Sequence, residues 1–404
     1  MARVRLAAEV CGPLAVVAVV ALVGGQLSPA NQQNAVNIMV TTAMVVALYV
    51  FVGNSGVWSF GQVSFVAVGA FAAGILTTPV GVRRTAAPDV FGFLATTQLS
   101  NIESLLLAAA LGGLFALLVG CALMRLTGLA AGIATFAVLE ITYNVLRFWS
   151  KIGPGAETLA LVPVTTGLTQ GAIGCGIAIV AAFAYQHTRS CRLLRASRED
   201  ALAARGIGVP IFRHRLVAFT ISGGLSGFAG ALFVHELGSI NTDQVYLALT
   251  FLTLAMLVVG GVGSLWGATI GGAGLSVIDT VLSNAENGIN VGGLNVTLPS
   301  GLSTVVLGVI MVAILILAPR GVTASREFLA GTLTGRRRLV ELASAAPSPG
   351  GRPGQVGSPA TGGRPALAGE PPGQAMPESP PIGATAERRA GHPGRGAGGS
   401  PPSG

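Results

Sequence analysis

Residues 186–215 read QHTRSCRLLRASREDALAARGIGVPIFRHR and hold seven arginines, at positions 189, 192, 195, 198, 205, 213 and 215. Long apolar stretches flank this island on both sides. Arginine concentrated between apolar spans marks a loop retained on the cytoplasmic side of a membrane. Within the island, residues 197–205 are expected to form one short helix whose acids, Glu199 and Asp200, lie in its first turn. Gly206, Gly208 and Pro210 then stop it, as helix-ending residues do. A polyanion-binding loop has no need of that Glu-Asp pair, nor of a small Ala203-Ala204 face followed by glycine. A helix that presses against another protein does. The island therefore predicts a membrane protein driven from its cytoplasmic side.

Composition agrees. Hydrophobic residues make up 51% of the 404 and charged residues 10%, against about 25% charged in a soluble domain. The net charge of +8 comes from loops and tail, so it reports orientation and contact with membrane lipid and does not point to nucleic acid. Four cysteines, at 11, 121, 175 and 191, lie in or beside apolar segments with no CxxC spacing. They read as small membrane residues, with no metal or cofactor implied. Arg3 and Arg5 precede the first apolar run; another span follows it, so an uncleaved first helix is expected in place of a signal peptide.

A span needs about 20 apolar residues, and ten candidates appear, at 11–27, 35–52, 57–76, 104–124, 128–148, 168–185, 216–235, 245–261, 265–282 and 302–317. An even count starting inside returns the chain inside. The arginine island then falls in the cytoplasm with Arg320 and Arg336, Arg337 and Arg338, and both termini are expected there. The segment 279–300, with Asp279 and Glu286 and no Lys or Arg, falls outside. Only Arg83, Arg84 and Lys151 fall on the outer side against the trend. The expected fold is an all-α polytopic membrane protein of about ten transmembrane helices, some discontinuous. Residues 1–334 form the membrane domain, with the cytoplasmic loop at 186–215. Residues 335–404 are expected to form a disordered Pro/Gly-rich cytoplasmic tail; from Pro347 onward, 13 of 58 residues are proline and 15 glycine, too little apolar surface to offset chain entropy.

Glycine interrupts several spans, at 53, 56, 61, 69 and 74 and again at 260, 261, 263, 267, 271, 272 and 274. Two readings stand: close helix packing, or a pathway lined by broken helices. Gly61, Gln62 and Gly263 are pathway candidates on the second. The chain has no GxxxxGK[ST], no HExxH and no Ser/His/Asp or Cys/His cluster, so it is not an ATPase or other enzyme in itself. Membrane ionisable groups cost at least about 2.5–3.5 kcal/mol at mid-bilayer unless they face protein or water. Glu140, within TFAVLEITYNVLRFW at 135–149, reads as the deepest. Arg147 lies two turns along the same face, so either a structural ion pair or a pathway or gating role fits. For His235 and Glu236, at the outer end of the seventh span, ordinary snorkelling and a functional role fit equally well.

Four blocks carry a family resemblance: SGVWSFGQVSFVAVGAF at 55–71, LRASREDALAARGIGVPIFRHRLVAFTISGGLSGFAGAL at 194–232, VVGGVGSLWGATIGGA at 258–273 and LAPRGV at 317–322. Together they resemble the LivM-type permease of branched-chain amino acid ABC importers, over about residues 30–325. The resemblance implies discontinuous helices around a central pathway and alternating access driven by partners: two ABC ATPase subunits, a second permease subunit and an extracytoplasmic substrate-binding protein. It implies import of branched-chain or similar apolar amino acids, or within the same architecture urea, short amides or small carboxylates. The family's coupling motif EAAxxxG maps onto Leu202, Ala203, Ala204 and Gly208, with Leu202 at the glutamate position. Arg198, Glu199 and Asp200 precede it in the same ATPase-coupling segment. Val57 and Gln62 stand where Gln and His are common, and Glu140 matches an acidic position of the family. A self-sufficient secondary transporter would not need a helix-bearing basic loop and usually carries more membrane acids.

Overall fold

A computed structural model describes residues 2–86, 90–286, 289–291, 294–296, 299, 301–317 and 321–323. The expected tail, the 334/335 boundary, Arg320 and the arginines at 336–338 lie outside the described residues. The chain begins with α1 (Ala2–Gly25), α2 (Pro29–Ser55) and α3 (Gln62–Thr77). Two short helices follow, α4 (Val80–Ala86) and α5 (Gly92–Thr96), then α6 (Asn101–Leu123), α7 (Leu129–Phe148) and α8 (Leu168–Gln186). The arginine island forms α9 (Arg189–Glu199) and α10 (Ala201–Gly206), ahead of α11 (Ile211–Leu237). A 3-10 turn at Thr242–Val245 leads into α12 (Leu247–Gly260), α13 (Leu265–Glu286) and α14 (Leu302–Leu317). Between the last two, the loop carries a small hairpin in which β1 (Ile289–Val291) and β2 (Leu294–Val296) pair antiparallel with Asn290 opposite Asn295; the fold is otherwise helical, as expected.

Among the described residues seven helices are long and apolar enough to cross a membrane, and the shorter apolar helices Glu9–Gly25, Gln62–Thr77 and Val305–Ile314 occupy the other three expected spans. Lipid offers no partner to a bare N–H or C=O, so an apolar run of this length satisfies its own backbone as helix. The third span is shorter than expected: residues 57–61 are not helical, because Gly56 turns left-handed at φ 69° and ends α2.

Alternation of the spans is legible in their end contacts. Glu9 near the start of α1 lies 3.7 Å from His187, Arg198 donates to the Gly53 carbonyl at 2.7 Å, and Arg215 donates to that of Leu126 at 3.3 Å. Thr323 Oγ1 donates to the carbonyl of Gly260 at 2.7 Å. Loops 124–128, 187–210 and 321–323 therefore share one end of the bundle, hereafter the arginine end, as the even count requires.

The centre is α2, buried along almost its whole length from Val36 to Ser55, with α8, α11 and α13 packed most extensively against it and α1 and α12 also in contact. Glycine here serves close packing. A Cβ on Gly227 would sit inside contact distance of the Ala108 carbonyl, and one on Gly69 would strike the backbone of Gly227. Gly260 meets Gly267 and Gly271 in the same way. These seams let α3, α6 and α11, and separately α12 and α13, approach backbone to backbone.

Arg83 explains one of the charges that ran against the trend. It is fully buried, and its guanidinium donates to the carbonyls of Thr78 at 2.6 Å, Thr97 at 2.7 Å, Leu76 at 3.4 Å and Leu94. A planar five-donor group can serve several carbonyls left bare where helices end. Its place is set by that clamp.

Candidate functional site

The arginine island is built as two helices where one was expected. Asp200 is extended (φ −146°, ψ 106°) and its carboxylate accepts from the amides of Leu202 and Ala203 at 2.8 and 2.9 Å. An aspartate that satisfies two bare amides starts a new helix, so the acids straddle a break: Glu199 ends α9 and Asp200 caps α10. α9 itself begins where Thr188 Oγ1 accepts from the Cys191 amide at 3.2 Å. Its buried face, Cys191, Leu194 and Ser197, recurs every three residues, one side of a helix.

That face docks on the arginine end of α2. Oδ1 of buried Asn54 accepts from Arg195 Nε at 2.7 Å and from Cys191 Sγ at 3.2 Å. Tyr49 OH accepts from Arg195 Nη2 at 3.1 Å and from Gln186. The aliphatic part of Arg198 lies over Gly56. Burial pushes the Cys191 thiol up from its ordinary value, with Arg195 pulling the other way. The island is therefore a rigid extension of α2.

α10 points outward from this stem. The two alanines of the expected small face part company: Ala203 is exposed, whereas Ala204 is 5% exposed and held inside the loop, its carbonyl accepting from Val209 N at 3.0 Å. The outward surface is Leu202, 78% exposed, with Ala203, Arg205 and Ile207, 81% exposed. Gly208, at φ 79°, takes the left-handed turn into α11.

The second constellation centres on α7. Glu140 is half-buried; Oε1 accepts from Asn144 Nδ2 at 2.9 Å and Oε2 from Tyr246 OH. Arg147 is not its partner. It pairs with Asp243 at 3.0 Å, and Asp243 also accepts from Tyr143 OH at 2.7 Å. Tyr143 stacks on Tyr246 at 3.9 Å. This network ties the far end of α7 to the turn before α12. Near its arginine end, Thr135 Oγ1 accepts from Phe60 N at 3.1 Å, and Gly61 lies against the Thr135 carbonyl.

Gln62 sits apart from Glu140. It is buried, and its Nε2 donates to Ser222 Oγ, which donates to the Ala47 carbonyl at 2.6 Å. It staples α3, α11 and α2 together. Gly263 lies in the turn between α12 and α13 at the arginine end. The structure groups Gly61 with α7 and separates Gln62 and Gly263 from Glu140.

Burial of His235 and Glu236 removes one of the two readings open for them. Neither snorkels: both are buried, His235 between Ser104 Oγ at 3.1 Å and the Pro163 carbonyl at 3.2 Å. Glu236, 2% exposed, is more buried than Glu140. Gln33 donates to its backbone carbonyl at 2.8 Å, while its Oε2 has no hydrogen-bond partner among the described residues. A His-Glu pair at a span end carries no sequence signal for burial, because the covering strap 159–166 joins it from a distant loop. Among the described residues no group of His, Cys, Asp and Glu could hold a metal ion. What these sites offer is an exposed outward surface on α10 and hydrogen-bonded helix contacts.

An apolar helical bundle with paired glycine seams and one arginine-rich loop is the architecture of a multi-pass membrane protein. The chain belongs to the family described as branched-chain amino acid transport system / permease component, whose profile matches residues 32–315. It is 27% identical over 317 residues to the high-affinity branched-chain amino acid transport system permease protein LivM of Salmonella typhimurium strain LT2, covering 70% of this chain and 67% of that one. LivM of Escherichia coli K12 matches at 26% over the same shares. The autoinducer 2 import system permease protein LsrC of Enterobacter sp. strain 638 is 31% identical over 192 residues, which is 44% of this chain and 55% of that relative. No solved structure gives a significant match. The chain is thus a multi-pass ABC-type permease, as the four sequence blocks led one to expect.

Proposed function

We propose that this chain is the membrane subunit of an ATP-driven importer for branched-chain or similar apolar amino acids. Two ATPase subunits engage the α9–α10 loop, a second permease subunit completes the pathway, and an extracytoplasmic binding protein delivers substrate. The arginine end then faces the cytoplasm, in line with the positive-inside rule. The observation that carries the reading is the docked α9 stem presenting Leu202, Ala203 and Ile207 outward: exposed apolar groups rimmed by Arg205 mark a protein contact. A rigid stem passes motion of a bound ATPase into α2, the most buried helix of the bundle. Glu140, where α7 meets the turn before α12, is the proposed gating group. The LivM relatives support the apolar amino-acid assignment, since they match over more of the chain than LsrC.

The burial pattern chooses the experiment. Ala203→Trp adds bulk on the outward face, where overpacking a close interface costs about 1–3 kcal/mol. It should leave the permease inserted at normal level while substrate-stimulated ATP hydrolysis and leucine uptake by the reconstituted complex both fall. Ala204→Trp, pointing into the loop, should instead lower the amount of folded loop. Full stimulated hydrolysis and uptake with Ala203→Trp would remove the coupling role and favour a self-sufficient transporter.

A further inference from the structure

Between α3, α6 and α7 lies a laterally open apolar cavity of about 500 Å³. Val68, Ile75, Leu107, Phe115, Ile141 and Leu146 are among its walls, and Thr142 is the single polar side chain in the lining. Thr142 turns its hydroxyl to its own helix, donating to the Val138 carbonyl at 2.8 Å. The slot exists because α7 is fastened by the Tyr246–Asp243 network at one end and by Phe60 and Gly61 at the other.

Three features select an occupant. First, the walls offer nothing to an ammonium or a carboxylate, so an amino acid would bury two unpaired charges here; the slot is not a substrate site. Second, its length suits one leaflet. From Leu76 to Val68 is eight residues of α3, about 12 Å at 1.5 Å per residue, against about 15 Å for half of a 30 Å hydrocarbon core. One turn of α3 beyond Val68, Phe65 packs edge-to-face on the wall residue Phe115 at 5.6 Å. Third, its mouth is at the end away from the arginine loop, lined by Leu94 and Ile152. There Phe91 and Trp149, both exposed, meet edge-to-face at 6.3 Å, and an interfacial aromatic pair marks headgroup level. Lys151, the only lysine of the chain, is exposed at this end, and exposed Arg84 follows Arg83, whose guanidinium donates to the carbonyl of the lining residue Leu94. Phe91 N donates to the Lys151 carbonyl at 3.2 Å, which holds that segment over the slot.

We infer that one acyl chain of an anionic phospholipid occupies this slot, its phosphate held at the mouth by Lys151 and Arg84. Cations on this side, contrary to the charge trend of the rest of the chain, then have a partner in the headgroup.

The test is native mass spectrometry of the full-length permease after exchange into nanodiscs of phosphatidylglycerol or phosphatidylcholine. One phosphatidylglycerol should be retained at least five-fold more often than phosphatidylcholine. Ala72→Phe, which fills the slot, and Lys151→Glu, which reverses the mouth, should each abolish that preference. Lys151→Arg should keep it, as should Val309→Phe on the exposed face of α14. Equal retention of both lipids by the parent, or unchanged preference in Lys151→Glu, overturns the proposal even if Ala72→Phe fails to fold. So does cross-linking of Ile141→Cys to a second permease subunit in place of lipid retention. Because the readout is lipid binding, it stands or falls separately from ATPase coupling.

Discussion

Arg195 Nε donates to Asn54 Oδ1 at 2.7 Å, joining the arginine loop to the end of a membrane helix 141 residues earlier in the chain. Cys191 shares that same oxygen, so one buried amide holds two successive turns of α9. Asn54→Leu keeps the size and removes the acceptor, leaving Arg195 and Cys191 without it. An unmet buried donor costs about 1–3 kcal/mol, enough to undock α9 in a measurable fraction of molecules. Maleimide should modify Cys191 at least ten-fold faster in Asn54→Leu than in the parent, where burial keeps the thiol protonated and covered. Equal rates would show that α9 does not depend on Asn54.

Arg83 clamps carbonyls from the end of α3, the turn after it and the segment around α5. Arg83→Ala bares them together, and the loss should be on the order of 3 kcal/mol. Arg83→Lys has three donors on a single point and cannot span the same set, so it should rescue only partly. Thermal unfolding in detergent reads both, with the midpoint ordered parent, Lys, Ala. A parent-like midpoint for Arg83→Ala would remove the clamp from the account.

Gly227 sits where α11 crosses α6 and α3. Gly227→Ala places a methyl against the Ala108 carbonyl, a backbone atom that cannot swing away. Overpacking of 1 to 3 kcal/mol or so is the expected minimum. Yield of folded permease should fall, whereas Gly274→Ala, with open space around the added methyl, should behave as the parent. If both variants fold equally well, the seam is looser than its geometry.

Glu140 accepts from Asn144 and Tyr246. Glu140→Gln retains one carbonyl acceptor and lets the tyrosine hydroxyl turn, so assembly should be normal. If charge at this position drives gating, uptake by the reconstituted complex should drop about ten-fold while the folded amount stays level. Parent-like uptake would leave Glu140 as a helix fastener only.

The ten apolar runs and their sidedness relative to the arginine loop were legible in the residues, because a long apolar run in lipid has one low-cost answer, a helix, and loop charges count locally. Gly56 and the glycines at 260 and 261 marked the breaks for the same local reason. Partners and burial were another matter. Arg147 lies on the same side of α7 as Glu140 yet bonds Asp243, 96 residues away, and Asn54 meets α9 across a longer interval still. Ala203 and Ala204 are identical and adjacent, and one is turned inward where the chain folds back and Val209 N donates to the Ala204 carbonyl. Asp200 could cap or extend a helix; its amide partners decide for the cap. Sequence by itself determined which segments enter the membrane, since transfer from water to lipid is summed over each segment alone. Tertiary structure decided which polar groups meet inside, since a hydrogen bond needs two atoms placed within about 3 Å by helices far apart in the chain.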